Sequence, residues 1–186
     1  MDEDLQLACE ALKRGDVILY PTDTVWGIGC DATDKAAVER VYAIKRRSDS
    51  KALIVLVGSM SMLGDYVPCL PSKAVEYLSD TRPTTVVLDG CTGLAPNLMA
   101  DDGSVGVRVT SEPFSHSLCM MFGKPIVSTS ANISGMPSAA SFDEISDEII
   151  KSVDYVCVTR RDDTSAHSPS RIVKITSEGS IQIIRP

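Results

Sequence analysis

Thr22 and Thr24 stand two residues apart in "YPTDTVWGIGCDA", with Asp23 between them and Gly27 and Gly29 close behind. Residues i and i+2 of an extended segment face the same side, so both hydroxyls would point one way and Asp23 the other. Paired hydroxyls suit a polar ligand, and the glycines would let backbone approach that ligand or a neighbouring strand. An ordinary turn after Pro21 uses the same residue types. In "IVSTSANISG", Ser128, Ser130 and Asn132 fall at i, i+2 and i+4 behind the apolar pair Ile126 and Val127. Three hydrogen-bonding side chains on one face at a strand end suit a sugar or phosphate, because α/β proteins bind ligands at the ends of strands. A polar solvent-facing edge is the alternative.

Cations complete the set. "KRRSDSK" closes a helical stretch with Lys45, Arg46 and Arg47, and Lys51 follows shortly. Basic residues at a helix C-terminus complement the macrodipole. On a continuing helix Lys45 and Arg47 would lie about 200° apart. If the helix stops near Ile44 they project together and could hold a polyphosphate. Arg108 interrupts the alternating apolar strand "SVGVRVT", which places it on a wet face or against a carboxylate. An amino-acid carboxylate is a natural ligand for its fork, and Arg185 in "IIRP" is a weaker case of the same kind.

Other chemistries lack their residues. There is no phosphate-binding G-x-x-x-x-G-K-[ST], no G-x-G-x-x-G and no G-x-S-x-G. The two histidines, His116 and His167, lack metal-ligand spacing, and the six cysteines form no C-x-x-C pair, so no metal site is expected. Reduced, mostly buried thiols are expected instead.

The elements that must position these residues alternate along the chain. Helices are expected around Leu5–Leu12, over 34–47, over "SKAVEYLSD", over "PFSHSLCMMFG" and over "SFDEISDEIIKSV", the last opened by a capping box of Ser141 and Glu144. Strands are expected at "VILY", "ALIVLV", "TTVVL", "SVGVRVT", "PIVSTS", "YVCV", "RIVKI" and "SIQIIRP". Interleaved helices and strands, with a strand-rich end, predict an α/β (α+β) mixed parallel/antiparallel sheet in one domain over 1–186. The polar stretch "TRRDDTSAHSPS" is a loop or a lid. With 186 residues and 44% hydrophobic content the chain can build a substantial core. A net charge of −7 and 5% aromatics argue against a general nucleic-acid binder. The N-terminus has no signal-peptide pattern and no apolar run approaches the ~20 residues of a membrane span, so a cytoplasmic protein is expected.

Taken in order, "YPTDTVWGIGCDA", "AIKRRSDSKALIVLV", "SVGVRVT", "KPIVSTSANISG", "SPSRIVKI" and "IIRP" resemble the YrdC/YciO-like family over nearly the whole chain. Its best-known members are threonylcarbamoyl-AMP synthases. The resemblance implies a YrdC-like fold: a twisted sheet with outer helices around a deep cationic cavity. It implies a nucleotidyltransferase that converts L-threonine, bicarbonate and ATP, with Mg²⁺ on the triphosphate, into threonylcarbamoyl-adenylate and pyrophosphate. A partner transferase then modifies adenosine 37 of tRNA. It implies Lys45 and Arg47 as catalytic cations facing the ATP phosphates with Lys51. Ser104, Ser128, Asn132, Ala140 and Arg185 would also serve ATP, and Thr24, Arg108, Ser130 and Ser170 would hold threonine. Two departures stand out. "SDTRPTTVVL" keeps only Pro83 and Thr85 of the family's W-P-G-P-x-T, and Leu56 replaces a histidine of some members. Both fit a YciO-like paralogue, a nucleotide- or double-stranded-RNA-binding protein without threonine activity.

Overall fold

The computed structural model describes residues 2–47, 53–165, 168–176 and 179–186. Helix α1 (Asp2–Lys13) buries Leu5, Ala8 and Leu12, and Gly15 then turns the chain at φ 80°. Strands β1 (Ile18–Tyr20) and β2 (Gly27–Gly29) follow. Helix α2 (Lys35–Lys45) is capped by the Asp34 carboxylate, which accepts from the Ala36 and Ala37 amides. Next come β3 (Ile54–Val57), the short α3 (Met60–Gly64), α4 (Ser72–Leu78), β4 (Thr84–Leu88) and β5 (Val105–Val109). Helix α5 (Pro113–Phe122) has proline in its first turn and ends on Gly123 in the left-handed region. Strand β6 (Ile126–Ser130), helix α6 (Asp147–Ser152) and strands β7 (Tyr155–Val156), β8 (Arg171–Ile175) and β9 (Ile181–Arg185) complete the chain.

The strands form one sheet in the order β7-β1-β2-β6-β3-β5-β4-β8-β9. Pairs β1–β7, β3–β5 and β4–β8 are parallel and the others antiparallel, which is the expected mixed sheet. Residues in register share a face. On one face Val127, Val55, Val107, Val86 and Val173 line up across β6, β3, β5, β4 and β8, and all are fully buried. The opposite face carries Ser128, Ile54 and Gly106 in register, with Arg108 two residues further on β5. One face is thus filled by β-branched side chains, while the other meets a shallow, polar stretch.

One local expectation is corrected, and two local features add to the sequence reading. The Ser141–Glu144 capping box does not open a helix. Phe142–Glu144 forms a single 3₁₀ turn, Ile145 is extended, and α6 starts later with Ser146 accepting from the Ile149 amide. The Glu144 carboxylate accepts from the Ala140 amide at 2.8 Å instead. Helix α3, set by the Ser59 cap, lies in "SMSMLG", which shows no helical apolar period. The glycines of β2 serve Tyr20 first. A Cβ on Gly29 would stand 2.6 Å from Tyr20 Cε1 and 2.6 Å from the Val127 carbonyl oxygen, so the buried ring occupies the space the glycines leave.

The front of the polar stretch is pinned rather than free. Asp4 on α1 accepts from Tyr155 Oη at 2.6 Å, from the Val158 and Thr159 amides at 3.0 and 2.8 Å, and from Thr159 Oγ1. Burial pushes its carboxyl up, but these hydrogen bonds outweigh that and hold it below the usual carboxylate range. Thiols follow expectation in part: Cys9, Cys30, Cys119 and Cys157 are buried, Cys91 is half-buried and Cys69 is exposed.

Substituting Gly29→Ala is expected to lower stability by about 1–3 kcal/mol, the usual range for overpacking a rigid core. Urea denaturation followed by tryptophan fluorescence measures it, and an unchanged midpoint would refute the packing assigned to Tyr20.

Candidate functional site

The polar face of the sheet opens into a cavity of about 270 Å³. Its lining includes Gly27, Thr24 and Val25 from the β1–β2 connection, Ser128, Thr129 and Ser130 of β6, Ile54, Arg108, Ile172 and Arg185. Arg47, Ser138, Pro169 and Ser170 close the rim. A second hollow of about 340 Å³ is lined by Lys45, Arg46, Arg47, Thr129, Ser130, Asn132, Ser134 and Gly135. Arg47, Thr129 and Ser130 belong to both, so the two form one depression along the end of β6.

Backbone geometry explains why these residues meet. Helix α2 ends at Lys45, short of the expected 34–47 stretch, because Arg46 takes the left-handed conformation at φ 49° and its amide returns to the Ala43 carbonyl. That break brings Lys45 and Arg47 to the same hollow. Ser128 and Ser130 lie on one face of β6, in register with Ile54 and Gly27. Gly106 allows the Thr85 methyl and the Ile54 side chain to lie flat beside β5, since a Cβ there would be 3.1 Å from Thr85 Cγ2. The Thr85 and Ser170 hydroxyls are hydrogen-bonded at 2.8 Å, and Arg185 Nε donates to the Ser170 carbonyl at 2.8 Å. Ser170 is therefore seated before any ligand arrives.

Thr22 and Thr24 meet by a route other than the expected one. Residues 22–25 form a bend, not a strand. Thr22 Oγ1 accepts from the Thr24 amide, donates to the Val25 carbonyl at 2.8 Å, and lies 3.1 Å from Thr24 Oγ1. Asp23 does not simply turn away. Its Oδ1 lies 3.0 Å from Arg108 Nη2, with the side chains 12% and 4% exposed. The pair meets charge to charge without hydrogen-bond alignment, and Asp23 Oδ1 and Arg108 Nε are both buried without a hydrogen-bond partner. Burial pushes the Asp23 carboxyl above its ordinary range against the pull of Arg108. Asp23 was not among the candidates read from the sequence. The sequence offers Arg108 a carboxylate partner, but nothing in it singles out Asp23.

The electrostatics are positive. Burial and the neighbouring Arg108 charge lower the Arg185 pKa, and burial lowers that of Arg47. Lys45 is 2% exposed, so it is no exposed-rim cation. Its ammonium donates to the Ser130 and Asn132 carbonyls, the latter at 2.8 Å, and stands 3.5 Å from Asn132 Oδ1. Burial, then repulsion from Arg47, brings its pKa down to about 8.

Thus Thr24, Arg47, Arg108, Ser128, Ser130, Ser170 and Arg185 share one cavity, with Lys45 and Asn132 in the adjoining hollow. Ser104 and Ala140 do not line either. The Ser104 hydroxyl donates to Asp102 Oδ1 at 2.6 Å in the turn before β5, and the Ala140 amide is held by Glu144. Lys51 and His167 lie outside the described residues. Among the described residues no group of His, Cys, Asp and Glu could hold a metal ion, and no helix is long and apolar enough to cross a membrane.

A family model for Sua5, YciO and YrdC proteins, described as "Telomere recombination", matches residues 10–186. A threonylcarbamoyl-AMP synthase of Vibrio cholerae is 34% identical over 188 residues, covering 98% of this chain and 97% of that protein. One from Chromohalobacter salexigens is 41% identical over 138 residues, covering 72% and 74%. Among solved structures, E. coli YciO superposes with a TM-score of 0.86 at 25% identity over all of this chain and 89% of that one. P. abyssi Sua5 complexed with L-threonine superposes at 0.88 with 23% identity, a likeness of fold in which this chain spans 54% of the other.

Because Lys45 clips the Ser130–Asn132 carbonyls to the end of α2, Lys45→Met should cost about 1–3 kcal/mol, the penalty for orphaned buried polar groups. Chemical denaturation checks this, and an unchanged unfolding free energy would show the clip to be dispensable.

Proposed function

Because this chain belongs to the Sua5/YciO/YrdC family, we propose that it is a cytoplasmic, single-domain ATP-using nucleotidyltransferase that makes L-threonylcarbamoyladenylate for tRNA modification. The observation that carries this reading is the convergence of Arg47, Arg108 and Arg185 with the hydroxyls of Thr24, Ser128, Ser130 and Ser170 in one cavity. Three guanidiniums match a carboxylate and a triphosphate, the anionic groups of threonine and ATP.

In this reading the threonine amine attacks bicarbonate carbon and water leaves, giving a carbamate. A carbamate oxygen then attacks the α-phosphorus, and the bond to the bridging oxygen breaks with release of pyrophosphate. This chemistry asks the protein for alignment and neutralisation of charge, not for a histidine base. Arg47 and Lys45 face the phosphates, Arg185 joins them, and Arg108 with Thr24, Ser130 and Ser170 takes threonine. Ser128 and Asn132 border the nucleotide. Lys51 is proposed for the phosphates from its place in the motif, and Ser104 and Ala140 from theirs. Mg²⁺ would ride on the triphosphate, shielding its charge. The product would pass to a tRNA threonylcarbamoyl transferase.

One observation favours a second reading. Arg108, the residue assigned to the threonine carboxylate, already has Asp23 as a partner. A YciO-like nucleotide- or RNA-binding protein without threonine activity would need no free fork there.

Pyrophosphate release from ATP separates the two: it should require both L-threonine and bicarbonate. Release indifferent to threonine, or a salt-sensitive gel shift with double-stranded RNA and no release, would establish the second reading instead. Arg185→Ala should raise the KM for ATP about tenfold or more, in line with loss of a charge-assisted contact. For the pH dependence, Lys45 is charged below its pKa of about 8 and neutral above it. kcat/KM for ATP should therefore fall as pH rises through about 8, and Lys45→Arg should abolish that inflection.

A further inference from the structure

An ion pair stands between two cavities. Arg108 lines the 270 Å³ cavity described above. Asp23 lines a separate hollow of about 280 Å³ with Thr22, Arg82, Pro83, Glu112 and Arg160. Asp23 Oδ1 touches Arg108 Nη2 at 3.0 Å. The contact engages one terminal nitrogen of a five-donor fork and leaves Nε buried without a partner. A buried guanidinium donor without an acceptor is costly unless something later accepts it.

The backbone bearing Asp23 is itself braced. Thr22 Oγ1 ties the Thr24 amide and the Val25 carbonyl, and Arg160 Nη1 donates to the Thr22 carbonyl at 2.9 Å. Arg160 also pairs with Glu112 at 3.3 Å and with Asp163 at 2.8 Å. The carboxylate therefore sits on a bend with little freedom, and the guanidinium it holds inherits that rigidity.

We propose that Asp23 is a positioning residue for the substrate carboxylate: it anchors Arg108 by one Nη so that the remaining donors of the fork stay oriented for the acid group of an amino acid. This rests on the threonine-utilising reading above and adds to it. Asp23 touches neither substrate nor reacting atoms; it acts through Arg108. It also resolves the conflict of an occupied Arg108, since one guanidinium can donate to two carboxylates on different edges. The charged groups facing Asp23 are Arg108, Arg160 and Glu112, and on the cavity side Arg108 is joined by Arg47 and Arg185, which leaves that side positive for a second anion.

The test is calorimetry of ATP and of L-threonine on wild type, Asp23→Asn and Asp23→Glu, with steady-state pyrophosphate release alongside. Asp23→Asn should weaken threonine binding about tenfold or more, as loss of one partner of a buried charge pair does. ATP affinity should stay within about twofold and kcat should fall less than the threonine KM rises. Asp23→Glu keeps the charge but lengthens the arm, so it should also weaken threonine while folding like wild type. Should Asp23→Asn fail to fold, Asp23→Glu alone decides. Unchanged threonine affinity in a folded variant overturns the proposal, and equal losses for ATP and threonine assign Asp23 a merely structural role. A wild type that binds ATP but no threonine overturns the underlying reading and this proposal together, an outcome distinct from wild-type binding that the variants leave intact.

Discussion

Arg47, Arg108 and Arg185 face one hollow, and like charges removed from water repel one another. Desolvation opposes the charge of Arg47 and of Arg185, and the proximity of Arg108 opposes that of Arg185 further. The rest of the site is arranged around tolerating this. Asp23 offsets one of the cations, the Ser170 carbonyl accepts from another, and the Ser130–Asn132 carbonyls take the nearby Lys45 ammonium. What remains is a positive potential that an anion can complete, held in place before the anion arrives. Preorganised charge of this kind costs stability in the empty protein and returns it on binding or in a transition state.

A sheet can bear such a burden only if its other face is secure. The valine row across β6, β3, β5, β4 and β8 is wholly buried and supplies that security through apolar contact. The polar face can then omit a side chain at Gly27, place short hydroxyls at Ser128 and Ser130, and leave a hollow. Mixed strand directions matter too. Antiparallel pairing of β6 with both β2 and β3 puts the end of β6 beside the β1–β2 bend and the end of α2. Residues more than a hundred positions apart become neighbours by that register.

Much of this was legible in the chain. The period-2 spacing of Ser128 and Ser130, the arginine in an otherwise apolar strand and the break between Lys45 and Arg47 each have a local cause that types and spacing carry. Asn132 leaves that face, because β6 ends at Ser130 and the Asn132 side-chain amide turns to donate to the Ile133 and Met136 carbonyls. The paired threonines also met, though through a bend held by Thr22 Oγ1 and not through an extended strand. The glycines of β2 let the β6 backbone approach, as expected, and only the folded chain shows that the Tyr20 ring also lies where their side chains would be. The burial of Lys45 depends on the Ser130 and Asn132 carbonyls at and beyond the end of β6, which accept from its ammonium. The Ser141–Glu144 pattern fitted a capping box, yet Ile145 is extended and a later serine caps the helix.

Side-chain chemistry and periodicity determined which residues could bind anions and which segments would be helix or strand, since both depend on neighbours within a few residues. Tertiary structure decided which cations share a cavity, how deeply each is desolvated, and that Asp23 pairs with Arg108. Those are matters of long-range register and of access to water, and no short window of sequence contains either.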